Sequence, residues 1–258
     1  MARGKLYIVL FTTAVCGVFS VVVSLAAVTL KERQEANRQL DQQRNVLVVA
    51  GLVDPVTRLT VEMADSLFRE NVDAQLVRLE TGEVVPDDDP LAYDQQRAKR
   101  DPALSRPAPD NRAGIPRLPL KALVYLVRKN DALDAVVLPV EGMGLWGTMY
   151  GFLALEDDLN TIRGITFYDH GETPGLGGEI ESRRWRDQWE GKRIYDDASE
   201  VAFHVRKGRA PPDDPFAVDG LAGATLTANG VTYLIQFWLG EHGFRPYLRN
   251  LTSGMEGH

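Results

Sequence analysis

Between Leu6 and Leu30 the chain has no charged residue, while Arg3 and Lys5 precede the run and Lys31, Glu32 and Arg33 follow it. As a helix this run rises about 37 Å, enough to cross a hydrocarbon core of about 30 Å with some tilt. Residues 1–32 are therefore expected to form a transmembrane anchor. A cleaved export signal would instead show an apolar core of roughly 7–15 residues before a small-residue cleavage site. Ser24-Leu25-Ala26 offers such a site, but the apolar run continues through Val28 to Leu30, which favours a retained helix. Basic residues flank the span on both sides, and the charge rule is weak for long translocated domains, so local charge leaves the orientation open.

The residues after the anchor, 33–55, read as a helical stalk. Leu40, Val46, Leu47, Val49 and Leu52 punctuate a Glu/Gln/Arg stretch that Gly51 and Pro55 bring to an end. The remainder, 56–258, is expected to be one domain. Val61–Asn71 reads as a helix and 73–79 as a strand. The segment 82–119 is rich in Pro, Asp and Arg, including Asp87-Asp88-Asp89-Pro90, and is too long for an ordinary connection. It is expected to be an irregular surface excursion ordered by neighbouring subunits. Two strand pairs follow: 122–127 with 135–140 about Asn130-Asp131, and 149–155 with 161–168 about Asp157-Asp158. Helices are expected at 182–190, with Trp185 and Trp189 on one face, and at 227–238. Strands clustered before a late helix predict an α+β domain and not a doubly wound sheet.

The only cysteine, Cys16, lies in the apolar run, so an intrachain disulfide and a Cys-ligated zinc or iron–sulfur site are excluded. His170, His204, His242 and His258 show no short metal-ligand spacing, and no metal site is expected. Redox chemistry would have to come from an organic cofactor. A net charge of -7, with basic runs only as short as Arg183-Arg184 and Arg206-Lys207, argues against a nucleic-acid partner.

Two loops carry the chemistry. Asp219-Gly220-Leu221-Ala222-Gly223-Ala224-Thr225-Leu226-Thr227 runs into a helix and delivers two hydroxyls to its N-terminus, a favourable place for a dianionic phosphate. Thr225 or Thr227 is expected to cap that helix, and the small residues Ala222, Gly223 and Ala224 would let a bulky ligand approach the backbone. A capped helix after a tight turn explains the same residues without a ligand. The second loop, Gly171-Glu172-Thr173-Pro174-Gly175-Leu176-Gly177-Gly178-Glu179, is Gly-rich but lacks the Lys-Ser or Lys-Thr of a P-loop.

The first loop resembles the acceptor motif of flavin transferase substrates: Asp, Gly, any residue, Ser or Thr, Gly, Ala or Ser, then the modified Thr. That register puts the modified hydroxyl on Thr225 and the acidic position on Asp219. The usual Ser or Thr is Ala222 here, so one phosphate hydrogen bond is missing. The second loop resembles the one that FMN-binding domains place against the isoalloxazine. The likeness implies Leu176 on the ring face, Glu172 and Thr173 bonded to its polar edge, and Gly175 among the residues of the cofactor-binding loop. Gly142-Met143-Gly144-Leu145-Trp146-Gly147 and Phe237-Trp238-Leu239-Gly240 extend the likeness, with Trp146 stacking on the flavin or lying in the core, and Lys207 neutralising phosphate or reduced flavin.

The resemblance spans essentially the whole chain and is to the family of C-type subunits of sodium-translocating NADH:quinone oxidoreductases. It implies covalent FMN on Thr225, with Asp219, Gly223, Ala224 and Thr227 around its phosphate. It also implies an electron-relay subunit that is not catalytic alone, between iron–sulfur centres and a second flavin subunit on the way to quinone, coupled to Na+ export. The implied partners are the other subunits and, during maturation, a flavin transferase. The implied location is the bacterial inner membrane, single-pass, with the soluble domain periplasmic. No Rossmann fingerprint is present, so NADH is expected to bind elsewhere in the complex. A G-type subunit of an Rnf complex and a flavin-free structural or assembly subunit are the alternatives.

Overall fold

The computed structural model describes residues 2–57, 59–86, 88–130 and 132–256. Asp87, Asp131 and His258 lie outside the described residues. Helix α1 spans Ala2–Val49, and its stretch Tyr7–Leu30 is long and apolar enough to cross a membrane by length and composition. The chain divides into two units, Met1–Gln43 and Arg44–His258. The expected 33–55 stalk is thus not one body. From Arg44 it belongs to the larger unit, because Val46, Leu47, Val49 and Ala50 are buried in that unit's core.

The end of α1 is built by Gly51. At φ +74° it takes a left-handed conformation that suits glycine. The N–H of Gly51 then reaches Val48 O (3.0 Å) and that of Leu52 reaches Leu47 O (2.9 Å), the pair of returning bonds of a Schellman cap. Arg163 donates to Ala50 O (3.3 Å) and also pairs with Asp134 and Glu156, placing a cation at the negative end of the helix dipole.

Helix α2 (Val61–Asn71) begins at Thr60, whose hydroxyl accepts the Met63 N–H (3.3 Å). Strand β1 (Val72–Arg78) follows directly. The segment expected to be an irregular excursion is instead built of short elements: a 3₁₀ turn at Pro90–Ala92, helix α3 (Gln95–Arg100), and the hairpin of β2 (Ser105–Pro107) and β3 (Arg117–Pro119). The expectation is corrected on a second count, since Ala98, Ala113, Ile115 and Leu118 are buried and three of them join the main core. Tyr93 fastens the segment to the sheet by donating to Lys121 O (2.7 Å).

Strands β4 (Lys121–Lys129), β5 (Ala132–Met143), β6 (Thr148–Glu156) and β7 (Ile162–Asp169) complete a five-stranded antiparallel sheet of order β1-β4-β5-β6-β7. Side chains alternate between its faces. Val124, Leu126, Val136, Leu138, Leu153 and Leu155 face the main core, while Leu123, Tyr125, Val127, Val137, Phe152 and Ala154 face the end of α1 and α2. Both faces are covered, so these strands read as nearly unbroken apolar runs although the sheet is antiparallel.

After β7 the helix expected at 182–190 is split. A 3₁₀ turn at Gly177–Glu181 leads into α4 (Arg183–Arg186) and a second 3₁₀ turn at Asp187–Trp189. Trp185 and Trp189 are both buried and meet edge to face at 5.3 Å. Strands β8 (His204–Val205) and β9 (Ala217–Val218) pair in parallel. Helix α5 (Thr225–Trp238) starts two residues before its expected position and buries Val231, Leu234, Ile235 and Trp238 against the sheet. A final helix, α6 (Arg245–Glu256), has no counterpart among the elements expected from sequence.

Candidate functional site

The first turn of α5, the loop after β7, the tip between β5 and β6, and the loop after β8 converge. Helix α5 approaches the sheet closely because both contact points are glycines. Gly230 lies against Met143 O and Gly142 against the Leu234 side chain, with no room for a Cβ at either. This contact carries the β5–β6 tip, residues 144–147, to the N-terminal end of α5.

Thr225 is the first residue of α5 and its side chain is exposed. The residue before it, Ala224, occupies the N-cap with no side-chain bond, so neither Thr225 nor Thr227 caps the helix, contrary to expectation. An uncapped α-helix leaves its first N–H groups without intrahelical acceptors, which is favourable to an anion. Gly223, at φ +71°, turns the chain into the helix, and Leu176 Cδ2 lies 3.0 Å from where a Cβ would stand on it. Ala222 is exposed beside it.

Lys207 and Arg206 line one small recess together with Thr225, Gly220, Leu221 and Asn229. The recess is shaped by Asp219, which was expected at the phosphate. Its carboxylate accepts the Ala210 N–H (2.8 Å), its carbonyl accepts Trp185 Nε1–H (2.8 Å), and its N–H donates to Gln188 (3.1 Å). The Gly220 N–H donates to Gly208 O (2.7 Å). Asp219 therefore acts on the loop 206–210 that carries Lys207.

The loop after β7 turns at Pro174-Gly175, with Leu176 N–H and Gly178 N–H both donating to Thr173 O (3.1 and 2.9 Å). Thr173, Gly175 and Leu176 are on the surface. Trp146 is not a core residue: its side chain is 69% exposed at the tip, next to Leu145, while Trp185, Trp189 and Trp238 are buried. Leu226, in the first turn of α5, is 61% exposed. Leu145, Trp146, Leu176 and Leu226 thus leave large apolar side chains in water near Thr225, an arrangement that marks a binding surface.

Glu172 and Thr227, expected as cofactor contacts, are bonded to each other. Both are buried, and Thr227 Oγ1 donates to Glu172 Oε2, whose other oxygen accepts the Trp146 N–H (2.9 Å). Sequence reasoning missed this pairing, the Asp219 latch, and the exposed Leu145 and Leu226. Only Leu226 had a local signal, since it stands one step round the helix from two residues already singled out.

Residues 144–240 match the FMN-binding domain family. The chain is 49% identical over 249 residues to the C-type subunit of the Na(+)-translocating NADH-quinone reductase of Yersinia pestis, across 95% of this chain and 92% of that one. It is 47% identical over 250 residues to the same subunit from Pseudomonas aeruginosa, across 95% of each. The crystal structure of Shewanella oneidensis NqrC superposes with a TM-score of 0.79 at 34% identity, across 84% of this chain and 99% of that one. With likeness of this depth along nearly its whole length, the chain belongs to the NqrC family, the C-type subunits of the Na(+)-translocating NADH-quinone reductases.

Proposed function

We propose that this chain carries FMN joined through its phosphate to the Thr225 hydroxyl as a phosphodiester. In this reading it serves as an electron-relay subunit of a Na+-translocating NADH:quinone oxidoreductase. The observation that carries the reading is the exposed Thr225 hydroxyl at the uncapped start of α5, in one recess with Lys207 and beside exposed Leu176 and Leu226. A phosphate ester and an apolar ring need such a pair of neighbouring surfaces, so the residues fit the group.

Bound FMN supplies the one-electron chemistry, and the protein positions and tunes it. Thr225 tethers the phosphate. The first-turn N–H groups of α5 and the Lys207 ammonium offset its charge. Leu176, Leu226 and Trp146 offer apolar surface to the ring, and the exposed Thr173 and Gly175 border it. Gly223, whose positive φ turns the chain into α5, and Ala224 at the N-cap set the direction from which the ligand reaches Thr225.

Family membership supports a place between iron–sulfur centres and a second flavin subunit, on a path from NADH to quinone that is coupled to Na+ export. It also supports a flavin transferase as the partner in maturation. The apolar helix Tyr7–Leu30 supports a single-pass anchor in a bacterial inner membrane, with the domain on the periplasmic side in this reading.

The test is intact mass and in-gel fluorescence of the full chain produced with an active flavin transferase. The unmodified protein is expected to carry one flavin-sized adduct, Thr225→Ser a reduced fraction, and Thr225→Ala none. An adduct that persists in Thr225→Ala would move the attachment to another residue.

A further inference from the structure

The structure assigns Glu172 the role of a positioning residue that sets the Trp146 tip against the Thr225 turn, and not that of a flavin contact. The inference rests on the flavin reading above for its functional half. One buried carboxylate joins three separate segments. Oε1 accepts the backbone N–H of Trp146 (2.9 Å) in the β5–β6 tip, and Oε2 accepts the hydroxyl of Thr227, two residues after Thr225 in the first turn of α5. The carboxylate itself belongs to the loop that carries Leu176, and the Glu172 N–H is held by His170 Nδ1 (3.1 Å).

The neighbouring glycines leave room for this carboxylate. A Cβ on Gly144 would overlap Glu172 Oε1, and one on Gly177 would overlap Glu172 Oε2 and crowd Thr227 Oγ1. Two of the glycines in these loops are therefore explained by the carboxylate between them. Each of these bonds ties a different segment to one buried acceptor. Inside the protein, removing one donor leaves an acceptor unsatisfied and exacts its desolvation cost. Trp146, Leu176 and Thr225 therefore owe their mutual placement to a group that presents little of itself to the surface.

The test uses the full-length protein in detergent micelles. Flavin-free protein is examined by hydrogen exchange over 144–147, and flavin-loaded protein by fluorescence anisotropy of the flavin and by its midpoint potential. Thr227→Val keeps the size of the side chain and removes only the donor. It is expected to speed exchange at 144–147 by about tenfold, the consequence of leaving one buried acceptor unsatisfied. It is also expected to lower the flavin anisotropy and shift the potential although Glu172 is untouched. Thr227→Ser, which keeps the hydroxyl, is expected to match the unmodified protein in all three readouts. Glu172→Gln can still accept from Trp146 and donate to Thr227 Oγ1, so its exchange is expected to fall between these variants. Glu172→Ala combined with Thr227→Val is expected to exchange no faster than Glu172→Ala alone, because both remove the same brace.

A Thr227→Val protein with unchanged exchange, anisotropy and potential, while Glu172→Gln alters the flavin, would overturn the inference and make Glu172 a direct contact. Additive effects in the double variant would overturn it as well. If the unmodified protein takes up no flavin, the Thr225 reading and the functional half fail together. The exchange measurements need no flavin and judge the brace by themselves.

Discussion

Leu118→Ala separates two accounts of residues 82–119: a surface excursion ordered only by neighbouring subunits, or part of this subunit's own core. Leu118 lies in β3, is fully buried, and belongs to the main core. The change removes three carbons, worth about 2.4 kcal/mol at about 0.8 kcal/mol per buried CH₂. The cavity left behind adds to this, so the expected loss is about 3 kcal/mol, within the range seen for buried leucines. For a unit of this size 1 kcal/mol shifts the melting temperature by about 2–4 °C, so the expected fall is roughly 6–12 °C. The assay is thermal melting of the subunit alone in micelles, with no partner present. Leu120→Ala, one residue past β3 and 42% exposed, is the control and is expected to cost within about 0.5 kcal/mol. A Leu118→Ala protein melting together with the control would refute the placement of this hairpin in the core.

Three further outcomes follow from named contacts. Asp219→Asn keeps an acceptor for the Ala210 N–H and is expected to leave hydrogen exchange over 206–210 unchanged, whereas Asp219→Ala is expected to speed it. Arg163, by hydrogen bonding first and by its charge as well, holds the Asp134 carboxyl below its ordinary value against the opposing effect of burial. Its contribution is therefore complete above about pH 4 and lost as pH falls below that. Asp134→Asn should cost about 1 kcal/mol or less at pH 7, as for a partly exposed pair, and flatten the acid limb of urea-unfolding free energy against pH. Burial, reinforced by the charges of Asp88 and Asp94, pushes the Tyr93 phenol up to about 12. The neutral phenol thus stabilises fully below about pH 10, and that contribution is lost as pH rises through about 12. Tyr93→Phe should lose about 1 kcal/mol at pH 7 with its bond to Lys121 O and show a shallower alkaline limb in the same titration.

The strands and α2 were legible because their signals are local. β-branched runs ending at Asn130 and Asp157, and the short helical stretch Val61–Asn71, carry their own information. The excursion was not legible. Pro, Asp and Arg mark a segment as irregular, but burial of Ala113, Ile115 and Leu118 depends on which surface the chain folds back upon. Helix α6 was missed for a related reason. It docks where Gly82 meets the backbone of Pro246 and Tyr247, a contact between residues far apart in sequence. At the candidate site, Thr225 is singled out within a nine-residue window by its resemblance to the flavin acceptor motif. The partner of Thr227 could not be found in this way, since Glu172 lies 55 positions away.

The glycines of the two loops and of the β5–β6 tip show how one sequence pattern serves two purposes. Small residues in a loop beside a helix N-terminus look like room for a ligand, and the same pattern arises when room is needed for the protein itself. Here the structure divides them. Gly144 and Gly177 make way for the Glu172 carboxylate, Gly220 for Arg206 O, and Gly223 for Leu176. Gly147 and Gly175 have nothing within 4 Å of a would-be Cβ. Of these two, Gly175 is held at φ +74° by its turn, so a side chain there is strained whatever the space. Gly147 alone has both open space and an ordinary φ. A methyl group at Gly147 therefore meets nothing beyond its chain neighbours, so Gly147→Ala is expected to leave the melting temperature unchanged, and a reduced flavin content beside an unchanged melt would assign that space to the ligand.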